Sequence, residues 1–285
     1  MHGGKRFLVI LLSFCSYVSS NATERKLYYG QNFYNRIEDL SNTGQLKHEL
    51  YNILNSYHIS EPTTEDIIVK KCPNEKNCWR HQFKTYKEAR QFLFGDLYLE
   101  HDSDGPYVKG VYCNYKYRNQ DFPKGDGLGE NKIPAVNIIN TEHSWPQSKF
   151  NPKEPKKLQK SDLFILFPAS REANSLRSNL DFQELDTIED SVCNESAKGF
   201  AKFMDGKFFE PPAEHKGNVA RALFYFSVRY RMPIADSVEN TLRLWHINDP
   251  VDTLEYTRNE KIFTFQKVRN PFIDHEWLVN FINNF

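Results

Sequence analysis

The sequence has no excess of charge of either sign. Its 285 residues include 37 Lys and Arg residues and 37 Asp and Glu residues. A protein-wide positive field that would attract nucleic acid is therefore excluded, and any polyanion has to be held by a local patch. The chain also has no internal repeat, no long low-complexity tract and no shift in composition that would mark a second domain. We therefore predict a single domain with one sizeable core.

Long hydrophobic runs are also missing, apart from a short one near the start. Residues 7–18 are largely apolar, follow Lys5 and Arg6, and precede several small residues. The run is too short to cross a bilayer, so it predicts a signal peptide over residues 1–22, with a membrane anchor as the alternative. No later segment is apolar enough to span a membrane. Residues 23–285 are therefore predicted to be secreted or periplasmic and to have no membrane contact. We also expect them to be monomeric.

Cysteine is scarce, with five in the chain and one of these inside the predicted signal peptide. Four cysteines in an exported protein suggest two disulfides, which could form in three pairings. A bridge across the short loop between Cys72 and Cys78 would leave Cys113 with Cys193. A zinc site that includes His81 and a set of free thiols are the alternatives, although the spacing fits no common zinc pattern.

The apolar spacing predicts a mixture of helices and strands in separate blocks, which is typical of the α+β class. Residues 119–131 are rich in glycine and charge and are predicted to form a loop, and residues 161–170 form a buried apolar run. Strands are predicted over 106–117 and 133–140. Helices are predicted over 31–57 with a break at 41–44, over 85–98 with Thr85 as cap, from 171 with Ser170 as cap, and over 214–230, 238–246 and 253–268.

The segment "INTEHSWPQS" (139–148) places a carboxylate and an imidazole side by side, as Glu142 and His143. A neutral imidazole next to a carboxylate that binds a metal ion can remove a proton from water. In a strand, however, neighbouring side chains point to opposite faces. The two residues can serve one site only if the strand ends or bends there, as Pro146 would allow. A surface pair with no function is the alternative.

Four segments together resemble the endonuclease I family of exported, sequence-nonspecific nucleases. They are "NTEHSWPQSKF", "SDLFILFPASREANSLRSN", "EPPAEHKGNVARALFYFSVRY" and "NDPVDTLEYTRNEKIFTFQKVRNPFIDHEW". The last two resemble the larger bacterial extracellular members. The resemblance covers roughly residues 85–280 and implies the ββα-metal (His-metal finger) fold, surrounded here by several helices.

The resemblance implies a role for each matching residue. Glu142 and Asn174 would bind the metal, His143 would be the general base, Arg177 would face the phosphate, and Asn179 closes the motif. Asn174 and Arg177 are three residues apart and share a helix face. One carboxylate and one amide leave room for water and phosphate, which suits Mg²⁺, with Ca²⁺ or Mn²⁺ as alternatives.

The sequence departs from the family pattern at one place. Phe164 and Ile165 stand where the family usually has a histidine and a polar residue, whereas Asp162 is kept and is expected to support the site without binding metal.

The substrate-binding surface is predicted from composition. Lysines just after the catalytic pair could contact phosphate, and the segment 115–118 alternates tyrosines with cations. The predicted contacts are Lys149, Lys156, Lys157 and Asn179; His215, His246 and His275 are predicted to be structural.

These observations predict an exported, Mg²⁺-dependent endonuclease that cleaves DNA and RNA without sequence preference. The family resemblance implies products with 5′-phosphate ends. Two alternatives remain from other classes of protein. The first is a catalytically impaired protein that keeps the fold and binds nucleic acid or a surface partner. The second is a secreted, metal-dependent phosphomonoesterase.

Overall fold

The computed structural model describes residues 27–42, 44–60, 64–73 and 77–285. The predicted signal peptide lies outside these residues. Helices and small sheets alternate along the chain, which confirms the α+β class. The chain groups into two compact units, 1–81 and 82–285. A single domain over residues 23–285 stays a prediction.

The described residues of the first unit include a helical turn at 27–29, two longer helices and a three-stranded antiparallel sheet. The helices bury an apolar face that includes Leu46, Leu50 and Ile53. The helices are α1 (Gln31–Asn42) and α2 (Leu46–Asn55), and the strands are β1 (Tyr57–Ile59), β2 (Ile67–Val69) and β3 (Cys78–Trp79). The strands follow the order β2–β1–β3.

The predicted break between the first two helices is confirmed. Helix α1 ends at Asn42, Gly44 has a left-handed φ of +68°, and α2 begins at Leu46. Glycine adopts this backbone conformation without steric cost, which is why the chain can turn there. The predicted end at residue 57 is wrong, because Tyr57 already pairs with Val69 in the sheet.

The second unit contains three small sheets. One is a meander of β4 (Glu100–Asp102), β5 (Gly105–Lys109) and β6 (Lys116–Arg118), and one is a hairpin of β7 (Ile139–His143) and β8 (Leu166–Ser170). The third consists of β9 (Asp181–Phe182), β10 (Thr187–Asp190), β11 (Ala197–Phe200) and β12 (Phe208–Glu210). Its strand order is β10–β11–β12–β9, in which only the β12–β9 pair is parallel.

Helix α6 (Ala213–Tyr230) runs through the core of the second unit. All residues in 219–230 are buried, and the ring of Phe224 stacks 4.2 Å from that of Phe285. The predicted helices of the last third are confirmed. The remaining helices are α3 (Tyr86–Phe92), α4 (Lys156–Lys160), α5 (Arg171–Arg177), α7 (Asp236–Asn248), α8 (Thr253–Gln266) and α9 (Pro271–Asp274).

Two strand predictions need correction. The segment 106–117 is a hairpin, since Gly110 N–H donates to Tyr115 O at 2.9 Å and Asn114 takes a φ of 54° in the turn. The segment 133–140 becomes a strand only at Ile139, because the residues before it form turns, in which Ile138 N–H donates to Ala135 O. The alternation of Val and Tyr therefore predicted β-structure correctly but gave no sign of the turn between the two strands. No helix among the described residues is long and apolar enough to cross a bilayer.

Both predicted disulfides are present, joining Cys72 to Cys78 and Cys113 to Cys193. The second bridge joins residues 80 positions apart and the first only 6. A longer closed loop restricts the unfolded chain more strongly.

We expect Ser substitution of both Cys113 and Cys193 to lower the free energy of unfolding by about 2–5 kcal/mol. The same double substitution at Cys72 and Cys78 should lower it by less, because the loop is shorter. Urea denaturation of the two variants measures the difference. Mass spectrometry that found four free thiols in the unreduced protein would contradict the assignment.

Candidate functional site

The predicted site residues lie on a hairpin and the short helix that follows it. In the β7–β8 pair, Glu142 is opposite Phe167 and His143 is opposite Leu166. Strand β8 leads directly into α5, whose first turn is capped by Ser170 because its hydroxyl accepts the Ala173 N–H at 3.0 Å. The chain order of strand, strand and helix therefore brings 140–143 against 171–177, although the two segments are about thirty residues apart.

Glu142 is buried, with a relative exposure of 1%. Its Oε1 accepts the hydroxyl proton of Tyr112 at 2.8 Å and lies 3.2 Å from Nη1 of Arg177. Burial raises the pKa of the Glu142 carboxyl, while Arg177 and Tyr112 favour the ionised form and oppose that shift. Both contacts are made to the same oxygen, so Oε2 is not engaged by either of them.

Arg177 does not occupy the position that the family resemblance implied. It was expected to face a phosphate, but the residue has a relative exposure of 1%. Its guanidinium donates to the backbone oxygens of His143 at 3.0 Å and Ser144 at 2.5 Å, in addition to the pairing with Glu142. The helix face was predicted correctly, but that face turns inward against the end of β7. This geometry fits a residue that positions Glu142 and the strand end, and it does not fit a phosphate contact.

Asn174 lies one helical turn before Arg177 and faces the same strand. Its Nδ2 donates to Oδ1 of Asn140 at 2.5 Å. Asn140 and Glu142 are two residues apart on β7, so they share a face of the hairpin. The structure therefore brings Asn140, Glu142, Asn174 and Arg177 together on one side of β7.

The His143 ring lies on the opposite face of β7, where the strand ends. The rings of Tyr86 and Phe150 have centroids 5.6 Å and 6.0 Å from it. Nε2 lies 3.0 Å from the backbone oxygen of Lys160, and Nδ1 lies 3.4 Å from the side-chain amide of Gln147. Because a carbonyl oxygen only accepts, Nε2 has to carry the proton, and Nδ1 therefore has the lone pair.

Burial keeps His143 neutral. It lowers the pKa of the imidazole to about 4; the hydrogen bond to the Lys160 backbone opposes this shift, and the charges of Lys160 and Arg177 add to it. At neutral pH the ring is therefore unprotonated at Nδ1, which is the form that a general base requires.

Of the predicted substrate contacts, Lys149 is paired with a carboxylate and the others are exposed to solvent. Lys149 pairs with Asp181 at 2.7 Å, whereas Lys156 and Lys157 are exposed on α4. Lys160 of the same helix holds its ammonium 4.5 Å from the ring of Tyr86. Asn179 is exposed just after α5.

The second predicted surface, 115–118, is less open than its composition suggested. Lys116 and Arg118 both pair with Asp102, at 3.0 Å and 2.7 Å. These pairs hold the pKa of Asp102 below its usual range. Tyr115 is the exposed ring of the segment, and Tyr117 is buried.

The departure from the family pattern lies in the core. Phe164 and Ile165 are fully buried, so neither contacts solvent. Asp162 is also buried and accepts the hydroxyl protons of Tyr225 at 3.0 Å and Tyr230 at 2.7 Å. Asp162 therefore anchors α6, and its predicted role in supporting the site stays a prediction.

Four contributors to the site were not predicted: Asn140, Tyr112, Gln147 and the backbone oxygen of Lys160. Asn140 had a sequence signal, since it lies two residues before Glu142 and hence on the same strand face. Tyr112 had none, because it reaches Glu142 from a hairpin turn thirty residues earlier in the chain.

His215 and His246 are buried, as predicted for structural residues. Burial lowers the pKa of His215 to about 3 and that of His246 to about 4. The unfolded chain takes up protons near pH 6.5, whereas the folded protein does not until the pH is far lower. The contribution of these two imidazoles to the free energy of unfolding is therefore fully present above pH 6.5 and is lost progressively as the pH falls below that value.

We expect His215→Leu to reduce the slope of unfolding free energy against pH by about 1.4 kcal/mol per pH unit between pH 4 and 6. Urea denaturation across that range provides the slope. His101→Leu is the control, because His101 is exposed to water in the folded protein too. An unchanged slope in the His215 variant would show that this imidazole is charged in the folded state.

The side-chain oxygens on the α5 face of β7 are ligands that suit a hard divalent cation. Glu142 has one oxygen that neither Tyr112 nor Arg177 engages, and Asn174 uses its nitrogen for Asn140, so its Oδ1 is turned elsewhere. Oxygen ligands of this kind are those that Mg²⁺ and Ca²⁺ prefer. No cluster of three or more His, Cys, Asp or Glu side chains suited to a metal occurs among the described residues, so a site here relies on amide oxygens.

The fold and the site together define an α+β protein whose polar centre lies on an antiparallel hairpin and the short helix after it. The family model described as Endonuclease I matches residues 42–276. The chain belongs to that family, which confirms the resemblance found in the sequence.

Several curated proteins are similar to this chain. An extracellular ribonuclease of Bacillus amyloliquefaciens is 37% identical over 200 residues, which cover 62% of this chain and 63% of the relative. An extracellular deoxyribonuclease of Aeromonas hydrophila is 27% identical over 212 residues, which cover 68% of this chain and 89% of the relative. The Endonuclease-1 of Buchnera aphidicola subsp. Acyrthosiphon pisum is 27% identical over 164 residues, or 56% of this chain and 64% of that protein. The chain thus spans just under two thirds of the length of the first of these relatives.

Proposed function

We propose that this chain is an exported, metal-dependent endonuclease that hydrolyses phosphodiester bonds of DNA and RNA without sequence preference. The observation that carries the proposal is the state of His143. Its Nε2 donates to Lys160 O at 3.0 Å and its Nδ1 is unprotonated, at the end of the strand whose opposite face has the Glu142 carboxylate. The relatives named extracellular ribonuclease and extracellular deoxyribonuclease support both the substrates and the export.

In this proposal His143 takes the proton of the attacking water at Nδ1. The bond from Nε2 to Lys160 O holds the ring in place and fixes the tautomer. Because β7 ends at His143, the imidazole and the Glu142 carboxylate flank the same strand end from opposite faces. A phosphodiester bound across that end would meet both, in the arrangement of the ββα-metal fold.

Glu142 and Asn174 are the residues that would hold Mg²⁺. The chemistry that the ion supplies when bound is neutralisation of the phosphate and of the departing 3′ oxygen, so the products would carry 5′-phosphates. Arg177 keeps the carboxylate and the strand end in position through its contacts with Glu142, His143 O and Ser144 O. Lys156 and Lys157 would contact neighbouring phosphates, and contacts of this kind do not read sequence.

The test is digestion by purified protein of plasmid DNA and of RNA, with Mg²⁺, with Ca²⁺ and with a chelator. The proposal expects cleavage of both polymers, abolished by chelation, and 5′-phosphate ends in the products. Cleavage of only one of the two polymers would restrict the substrate to that nucleic acid. Binding without cleavage under every metal would overturn the proposal in favour of an impaired family member. Release of phosphate from a small chromogenic monoester, without polymer cleavage, would favour a phosphomonoesterase.

A further inference from the structure

The side-chain pair of Asn140 and Asn174 joins β7 to α5 beside the proposed metal ligands. Asn174 Nδ2 donates to Asn140 Oδ1 at 2.5 Å, and both residues are half-buried. Asn140 is two residues before Glu142, and Asn174 is three residues before Arg177. The two cross-links between strand and helix, Asn140–Asn174 and Glu142–Arg177, are therefore neighbours on the same face.

A primary amide can bind a cation only through its oxygen, because its nitrogen has two protons to donate and no free lone pair. The two ends of the group have nearly the same shape, so an Asn side chain without a fixed partner can turn either end toward a ligand. An acceptor placed against Nδ2 removes this ambiguity. In this structure Asn140 Oδ1 is that acceptor.

We propose that Asn140 is a positioning residue that fixes the amide of Asn174 with its oxygen toward the metal. The proposal deepens the proposed function and rests on it. Asn140 need not touch the ion or the substrate, because it acts through Asn174. Residues that orient a metal ligand in this way typically change metal affinity by about 10–100-fold when removed.

The test uses metal binding, measured by calorimetry with Mg²⁺ and with Mn²⁺ in the absence of nucleic acid. Asn140→Leu keeps the approximate volume but removes the acceptor, and we expect binding about 10-fold weaker or more. Asn140→Asp can only accept a hydrogen bond, so it keeps Asn174 in the same orientation and should bind at least as well as the wild type.

A double-mutant cycle separates positioning from other effects of the substitution. In an Asn174→Ala background the amide to be oriented is gone, so adding Asn140→Leu should weaken binding no further. Additive losses in the cycle would overturn the proposal, as would unchanged affinity in Asn140→Leu. If Asn140→Asp bound metal more weakly than the wild type, Asn140 would have to act as a donor, which also overturns it.

The results for the wild-type protein distinguish a failure of the proposed role of Asn140 from a failure of the proposed nuclease function. A wild-type protein that binds neither ion would remove the metal site itself and with it the proposed function. A wild type that binds metal and cleaves, together with an Asn140→Leu variant of equal affinity, would remove only the role of Asn140. Thermal unfolding of each variant without metal shows that it is folded under the conditions of the titration.

Discussion

Replacement of His143 by Ala is expected to lower the rate of DNA cleavage by about 10²–10⁴-fold, the usual cost of losing a general base. The effect follows from the neutral state of the ring. Burial lowers its pKa to about 4, and the bond to Lys160 O leaves Nδ1 as the single basic atom. Among the described residues, the side chains that contact this ring are Tyr86, Phe150 and Gln147, and none of them is a base at neutral pH.

Single-turnover cleavage at saturating Mg²⁺ measures this effect without interference from product release. Metal binding should persist in the variant, because Glu142 and Asn174 lie on the other face of the hairpin. His101→Ala, an exposed histidine on β4, is the matched control and should cleave at the wild-type rate. Wild-type activity in His143→Ala would remove this residue from the mechanism.

The local elements around the site could be predicted because their determinants are short in sequence. Thr85 starts α3 by a capping box with Glu88, and Ser170 starts α5 by accepting the Ala173 N–H. The run 161–170 is buried throughout, as predicted, and its second half forms strand β8 of the hairpin. A helix cap and an apolar run each depend on residues that are close in the sequence, so both can be recognised without the structure.

The depth at which a side chain lies could not be predicted in the same way. Spacing placed Asn174 and Arg177 on one face of a helix, but it could not tell whether that face met solvent or another strand. Arg177 turned out to be buried, since three acceptors on β7 and its following residue surround the guanidinium. Tyr112 likewise could not be found, because its contact with Glu142 depends on how a separate hairpin packs. Contacts of this kind are decided by tertiary packing.

Arg177 provides the sharpest contrast between the role implied by the sequence and the role implied by the structure. A phosphate contact would be exposed, and its removal would slow cleavage while leaving stability nearly unchanged. The buried guanidinium instead neutralises Glu142 and satisfies the backbone oxygens of His143 and Ser144. Removing one partner of a buried ion pair leaves the other charge without compensation, which typically costs about 3–5 kcal/mol.

We therefore expect Arg177→Ala to lower the free energy of unfolding by about 3–5 kcal/mol, measured by urea denaturation without metal. Arg177→Lys should recover little of this, because an ammonium cannot reach several acceptors as a planar guanidinium does. Mg²⁺ should raise the melting temperature of Arg177→Ala more than that of the wild type, since the cation would replace the missing positive charge beside Glu142. Arg171→Ala, at the exposed start of the same helix, is the control and should change stability by no more than about 0.5 kcal/mol. A variant of wild-type stability and wild-type Mg²⁺ response that cleaves slowly would instead restore Arg177 as a phosphate contact, because only a residue that meets the substrate affects cleavage without affecting the fold.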